Sequence, residues 1–231
     1  MTILIISCMD MRLNNILEKS KGNDSDVIVL RNAGANILGM KSSIRGILNN
    51  KNITEIKLMP HNDCGAMKVV YNSIKNGAKT SDDINNKLIS QFTDKSFNTL
   101  QDLEKLNYSI QEQVLKDIAP GAKISVEPID LSNYHSEIKH DHSLAFTYMS
   151  KGNYNELCSK SKLELNNTYF IHLNNIEEAV PDIEIGIKNI GIKNLFFIAQ
   201  DKSEYRGMLS DMYKLMMKDF VKGVEAKFIK L

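Results

Sequence analysis

Three short segments hold the residue types that chemistry uses: Ser7-Cys8-Met9-Asp10-Met11-Arg12, Arg31-Asn32-Ala33-Gly34-Ala35 and His61-Asn62-Asp63-Cys64-Gly65-Ala66. Cys8, His61 and Cys64 together offer two thiolates and an imidazole, a good donor set for Zn2+. A set of three protein ligands leaves the fourth tetrahedral position open to water, which is the catalytic arrangement rather than the closed structural one. Zinc lowers the pKa of bound water from about 15.7 towards neutrality, making hydroxide available for attack on an electrophilic carbon. Two thiolates offset much of the metal's charge, so the lowering is weaker than at an all-histidine site and an activity optimum above neutral pH is expected. Asp10, while ionised, only accepts hydrogen bonds. Arg12, two residues on, can clamp it bidentately.

Each segment follows a predicted strand. Ile3–Ile6 is a continuous apolar run, the mark of a strand buried on both faces. Val27–Leu30 and Glu55–Met59 are read the same way, with helices between them over 11–20, 42–50 and from Cys64 to Gly77. This alternation predicts a parallel α/β sheet. In such sheets, sites form at the carboxyl ends of strands. A helix N-cap is expected at Ser81-Asp82-Asp83, a long amphipathic helix over 98–118, and a fourth strand over 124–131 interrupted by Pro128. After a polar stretch from His135 to Asn155, strands are expected at 168–173 and 194–199. The helix between them can hold Pro181 only in its first turn. A last helix covers 204–222.

His-x-x-Cys alone is a weak signal, but joined to a strand-end Cys-x-Asp-x-Arg it becomes strong. The Cys-x-Asp-x-Arg, Arg-Asn-Ala-Gly and His-x-x-Cys-Gly segments resemble those of the β-class carbonic anhydrases in order and spacing. The likeness is firm over about residues 1–75 and loose over 98–131. It implies an α/β fold of that type and zinc, one ion per chain, on Cys8, His61 and Cys64. It also implies that Asp10 contacts the water in the fourth position while Arg12 pairs with Asp10. The activity implied is reversible hydration of carbon dioxide to bicarbonate. Hydrolysis of carbonyl sulfide or carbon disulfide at the same zinc is the near alternative, and an inactive scaffold is the distant one. A thiol-redox role for Cys8 and Cys64 is disfavoured by the nearby histidine and the lack of Cys-x-x-Cys. The chain has no Trp, which removes a residue that family members with an allosteric bicarbonate site use.

Several features have plainer readings. Gly34 and Gly65 suit strand-to-helix turns. Asp63 reads as a cap for the helix after it. His135, His140, Asp141 and His142 read as a polar loop rather than a second metal site, and Cys158 as a free thiol. Met208, Met212 and Met216, with Met217 beside them, recur at helical spacing as a core-facing stripe.

The second half carries an echo of the first. Laying the fourth strand on the first puts Pro128 on Cys8, Asp130 on Asp10 and Ser132 on Arg12. Residues 170–174 then fall on 28–32, and 195–199 on 56–60, with Gln200 on His61 and Ser203 on Cys64. Either the chain is duplicated and its second copy has lost its metal, or the fourth strand completes the first unit and the remainder is an unrelated extension. The working division is 1–122 for the zinc-binding unit and 123–231 for the C-terminal α/β half. In the duplicated case one chain is a pseudo-dimer; otherwise a homodimer is expected, as family active sites lie near a dimer interface.

Composition sets the outer limits. The 231 residues carry 29 Lys+Arg against 28 Asp+Glu, a net charge of +1. That balance excludes the electrostatic footprint of a nucleic-acid or anionic-membrane binder and suits a small uncharged substrate. A 42% hydrophobic content can fill a core. Three separated cysteines are no disulfide framework and suit a reducing compartment. The N-terminus reads as neither a signal peptide nor a membrane span, so a cytoplasmic location is expected.

Overall fold

The computed structural model describes residues 2–20, 26–134, 141–148 and 150–231. Its strands are β1 (Thr2–Cys8), β2 (Val27–Asn32), β3 (Ile53–Met59), β4 (Lys123–Val126), β5 (Ser143–Thr147), β6 (Thr168–His172), β7 (Asn194–Ala199) and β8 (Glu225–Lys230). The α-helices are α1 (Asn14–Ser20), α2 (Lys41–Asn50), α3 (Gly65–Asn76), α4 (Asp82–Lys87), α5 (Leu100–Ile118), α6 (Tyr154–Ser161), α7 (Ile176–Ile185) and α8 (Tyr205–Met216). Among the described residues, no helix is long and apolar enough to cross a membrane.

The strands form a single sheet in the order β4-β3-β1-β2-β6-β5-β7-β8. All neighbours run parallel except β2 and β6, which meet antiparallel at Arg31 and His172. Helices cover both faces: α1 packs with α6, while α3 packs with α5, and α7 with α4 and α8. This is the expected α/β architecture with a parallel core. Buried on both faces, β1 is a run of aliphatic side chains, with Leu4, Ile5 and Ile6 almost wholly inaccessible.

The order β6-β5-β7-β8 in the second half repeats β2-β1-β3-β4 in the first. Registers across the antiparallel joint pair Arg31 with His172, and within each half Ser7 with Arg31 and Thr147 with His172. Thr147 therefore stands where Ser7 stands, and Tyr148 where Cys8 stands. This corrects the expected alignment. The counterpart of β1 is Ser143–Thr147, hidden in a stretch that reads as polar, and not the 124–131 segment with Pro128, Asp130 and Ser132. Only three apolar residues, Leu144-Ala145-Phe146, mark it. The expected fourth strand instead pairs with β3 and loses regular pairing after Val126, just before Pro128. The division expected after residue 122 thus falls immediately before β4.

Two helix expectations also change. Pro181 lies in the middle of α7 rather than in its first turn. Its missing N–H leaves the Glu177 carbonyl without its helical donor, and the Lys87 ammonium from α4 donates to that carbonyl instead. The last helix stops at Met216, with Met217 86% exposed rather than in the stripe that Met208 anchors. Chain after it forms the edge strand β8.

Candidate metal centre

β1 and β3 are neighbours, so their carboxyl ends bring Cys8 beside His61 and Cys64. The two sulfurs and an imidazole nitrogen lie within 4.8 Å of one another, and all three residues are buried. The chain beyond β4 fixes His61 from the side: Ile129 bridges to it in parallel fashion and donates its N–H to the Pro60 carbonyl at 2.8 Å. His61 Nδ1 lies 2.7 Å from the Asn62 carbonyl, which assigns the proton to Nδ1. In the neutral ring that leaves Nε2 as a bare lone pair, and Nε2 is buried with no side-chain or backbone hydrogen-bond partner. An orphaned imidazole nitrogen facing two thiols fits a soft divalent cation such as zinc.

The electrostatics agree. A hydrogen bond from Cys64 lowers the Cys8 thiol's pKa, outweighing burial, and the charge of His61 helps. The same bond, with burial, raises that of Cys64. The pair thus shares one negative charge, and the Gly34 N–H donates to Cys8 Sγ at 3.3 Å. His61 is raised despite burial, chiefly by the Cys8 charge. A dication on these three donors would take the place of the protons that the thiols and the imidazole otherwise share.

Arg12 and Asp10 form the expected dyad. Arg12 Nε donates to Asp10 Oδ1 at 3.0 Å and Nη2 to Oδ2 at 2.7 Å, a fork-to-fork pair. Burial would raise the Asp10 carboxyl, but the hydrogen bonds and charge of Arg12, with His61, hold it below its usual range. Asp10 lies outside the cluster of three donors. Asp63 is not a helix cap. It sits at φ +55° and ion-pairs with Arg12 Nη1 at 2.7 Å and with Lys68. Cys64 takes the N-cap position of α3, its N–H held by Glu104 Oε1 at 2.9 Å.

Gly34 does need its glycine, at φ +76°, where an added Cβ would come within 3.2 Å of Ala66 and Met67; Gly65 lies inside α3 with open space around it. Cys158 is a free thiol pushed up to about 12 by burial, away from the cluster. His135 and His140 lie outside the described residues. His142 binds Asn167 Oδ1 through Nδ1 at 2.6 Å and takes no part in the centre.

Sequence reasoning picked out the segment of Arg31 but gave that side chain no role, and it missed the supporting residues of the second half. Arg31 is wholly buried and donates to the Cys8 carbonyl (2.8 Å), the Asp10 carbonyl (2.7 Å) and Asn14 Oδ1 (2.6 Å), with Tyr154 beneath its guanidinium. Asp182 Oδ1, from α7, accepts the Ala33 N–H at 3.0 Å. A cavity of about 260 Å3 over the centre is lined by Cys8, Asp10 and Arg12 on one side and by Tyr169, Asn189 and Ile190 of the second half on the other. The partners from the second half depend on the antiparallel β2–β6 joint, which leaves no local signal.

The equivalent position in the second half is built from different residues. Tyr148 stands in place of Cys8 with its hydroxyl on Asp211 at 3.0 Å, and Gln200 stands in place of His61. Ser203, expected opposite Cys64, bonds to Asp201. Among the described residues of that half no cluster of metal donors forms.

A carbonic anhydrase family model matches residues 3–127, more than half of the chain. Among solved structures, a carbonic anhydrase from Glaciozyma antarctica is similar at 18% identity, covering 56% of this chain and 76% of its own, with a TM-score of 0.35. The apo form of a carbon disulfide hydrolase is similar at 19% identity over 60% and 84%, with a TM-score of 0.33. Among curated proteins there is no match. With the family model spanning all three motif segments, from Cys8 through Arg31 to Cys64, the chain belongs to the β-class carbonic anhydrase family.

Proposed function

We propose that the protein is a zinc lyase that reversibly hydrates carbon dioxide to bicarbonate, with Cys8, His61 and Cys64 holding one zinc per chain. The observation that carries this reading is the orphaned, buried Nε2 of His61 facing two thiols beneath a cavity that contains the Asp10–Arg12 dyad. When bound, zinc supplies a Lewis acid that makes hydroxide available near neutral pH.

The chain's own residues do the rest. Arg12 keeps Asp10 ionised and turns its carboxylate into a fixed acceptor. An acceptor that cannot donate orients the attacking oxygen by taking its O–H, leaving a lone pair directed at the carbon. Gly34 N–H and Glu104 hold the two cysteines. Such a dyad, preorganised by three hydrogen bonds from Arg12 to Asp10, has no use in a purely structural zinc site, which speaks against an inactive scaffold.

Metal analysis with CO2-hydration kinetics on wild type and Cys64→Ser tests the reading. One zinc per wild-type chain is expected, with a rate that rises above neutral pH, and at least a 100-fold loss of activity in the variant. Bound zinc without activity from neutral to clearly alkaline pH would defeat it.

A further inference from the structure

The cavity over the centre is built from both halves, and its polar groups are unequally committed. Both carboxylate oxygens of Asp10 are engaged by Arg12, and Arg12 is shared between Asp10 and Asp63. Lys68 is tied to Asp63. Tyr169 differs. It is the second residue of β6, carried to the centre because the Phe170 N–H donates to the Met9 carbonyl at 3.1 Å, next to Asp10. The His142 ring meets its ring edge-on at 5.7 Å. Among the described residues, no hydrogen bond reaches its hydroxyl. Burial, then the negative charge of Asp10, raises the phenol's pKa, so it remains a donor at every working pH. By strand register its counterpart in the first half is Ile28, so the fold itself does not call for a hydroxyl at this position.

We propose that Tyr169 is a substrate-contacting residue supplied by the second half, donating its O–H to one oxygen of carbon dioxide while the carbon is attacked, and to the same oxygen in bicarbonate. The inference rests on the zinc-lyase reading and sharpens it by assigning a chemical preference. Oxygen accepts a phenolic hydrogen bond well, whereas sulfur is a weak acceptor. A donor here therefore favours carbon dioxide over carbon disulfide, whose distal atom is sulfur. The proton stays on the phenol throughout, and no bond of Tyr169 forms or breaks.

The test compares zinc-loaded wild type with Tyr169→Phe, which keeps the ring against His142. The variant should bind one zinc and melt as wild type does. Its kcat/KM for CO2 hydration should fall roughly tenfold, and its affinity for bicarbonate, read by titration of the cobalt-substituted protein's absorption, should weaken by a similar factor. Inhibition by carbon disulfide should change less than twofold. Unchanged bicarbonate affinity in an active, zinc-loaded variant would overturn the role of Tyr169 while leaving the lyase reading intact. So would equal weakening for bicarbonate and carbon disulfide. A wild type that holds zinc but neither hydrates CO2 nor binds bicarbonate would overturn both.

Discussion

Asp182 shows how one buried side chain can serve the centre at a cost to stability. One carboxyl oxygen holds the Ala33 N–H beside the Gly34 turn, and the other is buried without a partner. Burial raises its pKa well above the usual range, more than the Ala33 N–H and Lys87 can offset, so the folded chain holds this proton to higher pH than the unfolded chain does. In the unfolded chain it ionises near pH 4. Above that pH the folded state binds more protons than the unfolded state, so this group's contribution to stability declines as pH rises towards its folded value. Asp182→Asn copies the shape of the neutral acid without that penalty. Its melting temperature should match wild type near pH 4 and exceed it by a growing margin towards pH 8. A constant difference across that range would show that Asp182 is ionised in the fold. Nothing in the local sequence around Pro181-Asp182 points to this contact, because its partner is about 150 residues away.

At the scale of elements, α5 supports both the loop that carries Cys64 and the Gly34 loop whose N–H holds Cys8. The capping box between Thr99 and Asp102 starts it, and its buried face then sets polar Glu104, Asn107 and Gln111 beside apolar Leu103 and Leu115. Glu104 holds the Cys64 N–H, Asn107 donates to the Gly34 carbonyl at 3.0 Å, and Gln111 accepts the Ile37 N–H at 2.7 Å. Spacings of three and four place them along one side of the helix. All three are buried. Gln111→Leu keeps the volume but strands the Ile37 N–H, at a cost of about 1–3 kcal/mol. Thermal unfolding should then come roughly 2–12 °C lower, and an unchanged melting temperature would mean that Ile37 has another acceptor. The helix itself was readable from its cap and amphipathic pattern. That its polar residues point inward was not, since a buried polar face and a solvated one look alike in sequence.

For the whole molecule, the β2–β6 joint does what a subunit interface would do. It sets the second half against the first so that Tyr169, Asn189 and Asp182 reach the centre in cis. The outer edges of the sheet are poor surfaces for further pairing: β4 is only four residues long, and β8 carries Glu225, Lys227 and Lys230. Light scattering on the full chain should therefore give the 26.1 kDa of a monomer, with one zinc at saturation. A stable dimer, or two ions per chain, would contradict this single-chain pseudo-dimer.

Sequence alone picked out the Cys8, His61 and Cys64 cluster, the Asp10–Arg12 pair and the parallel first sheet, because each was written in local signals: aliphatic runs, turn residues and short motif spacings. It also marked the second half as an α/β echo lacking zinc ligands. Tertiary structure decided which strand plays the part of β1 there, since the three apolar residues of β5 are too few to stand out from their polar surroundings. It decided, too, that Pro181 is tolerated inside α7, through a lysine distant in sequence. Above all it decided what completes the cavity. The contacts that hold and wall the centre span up to about 150 residues, and side chains so far apart leave no periodicity for a sequence to display.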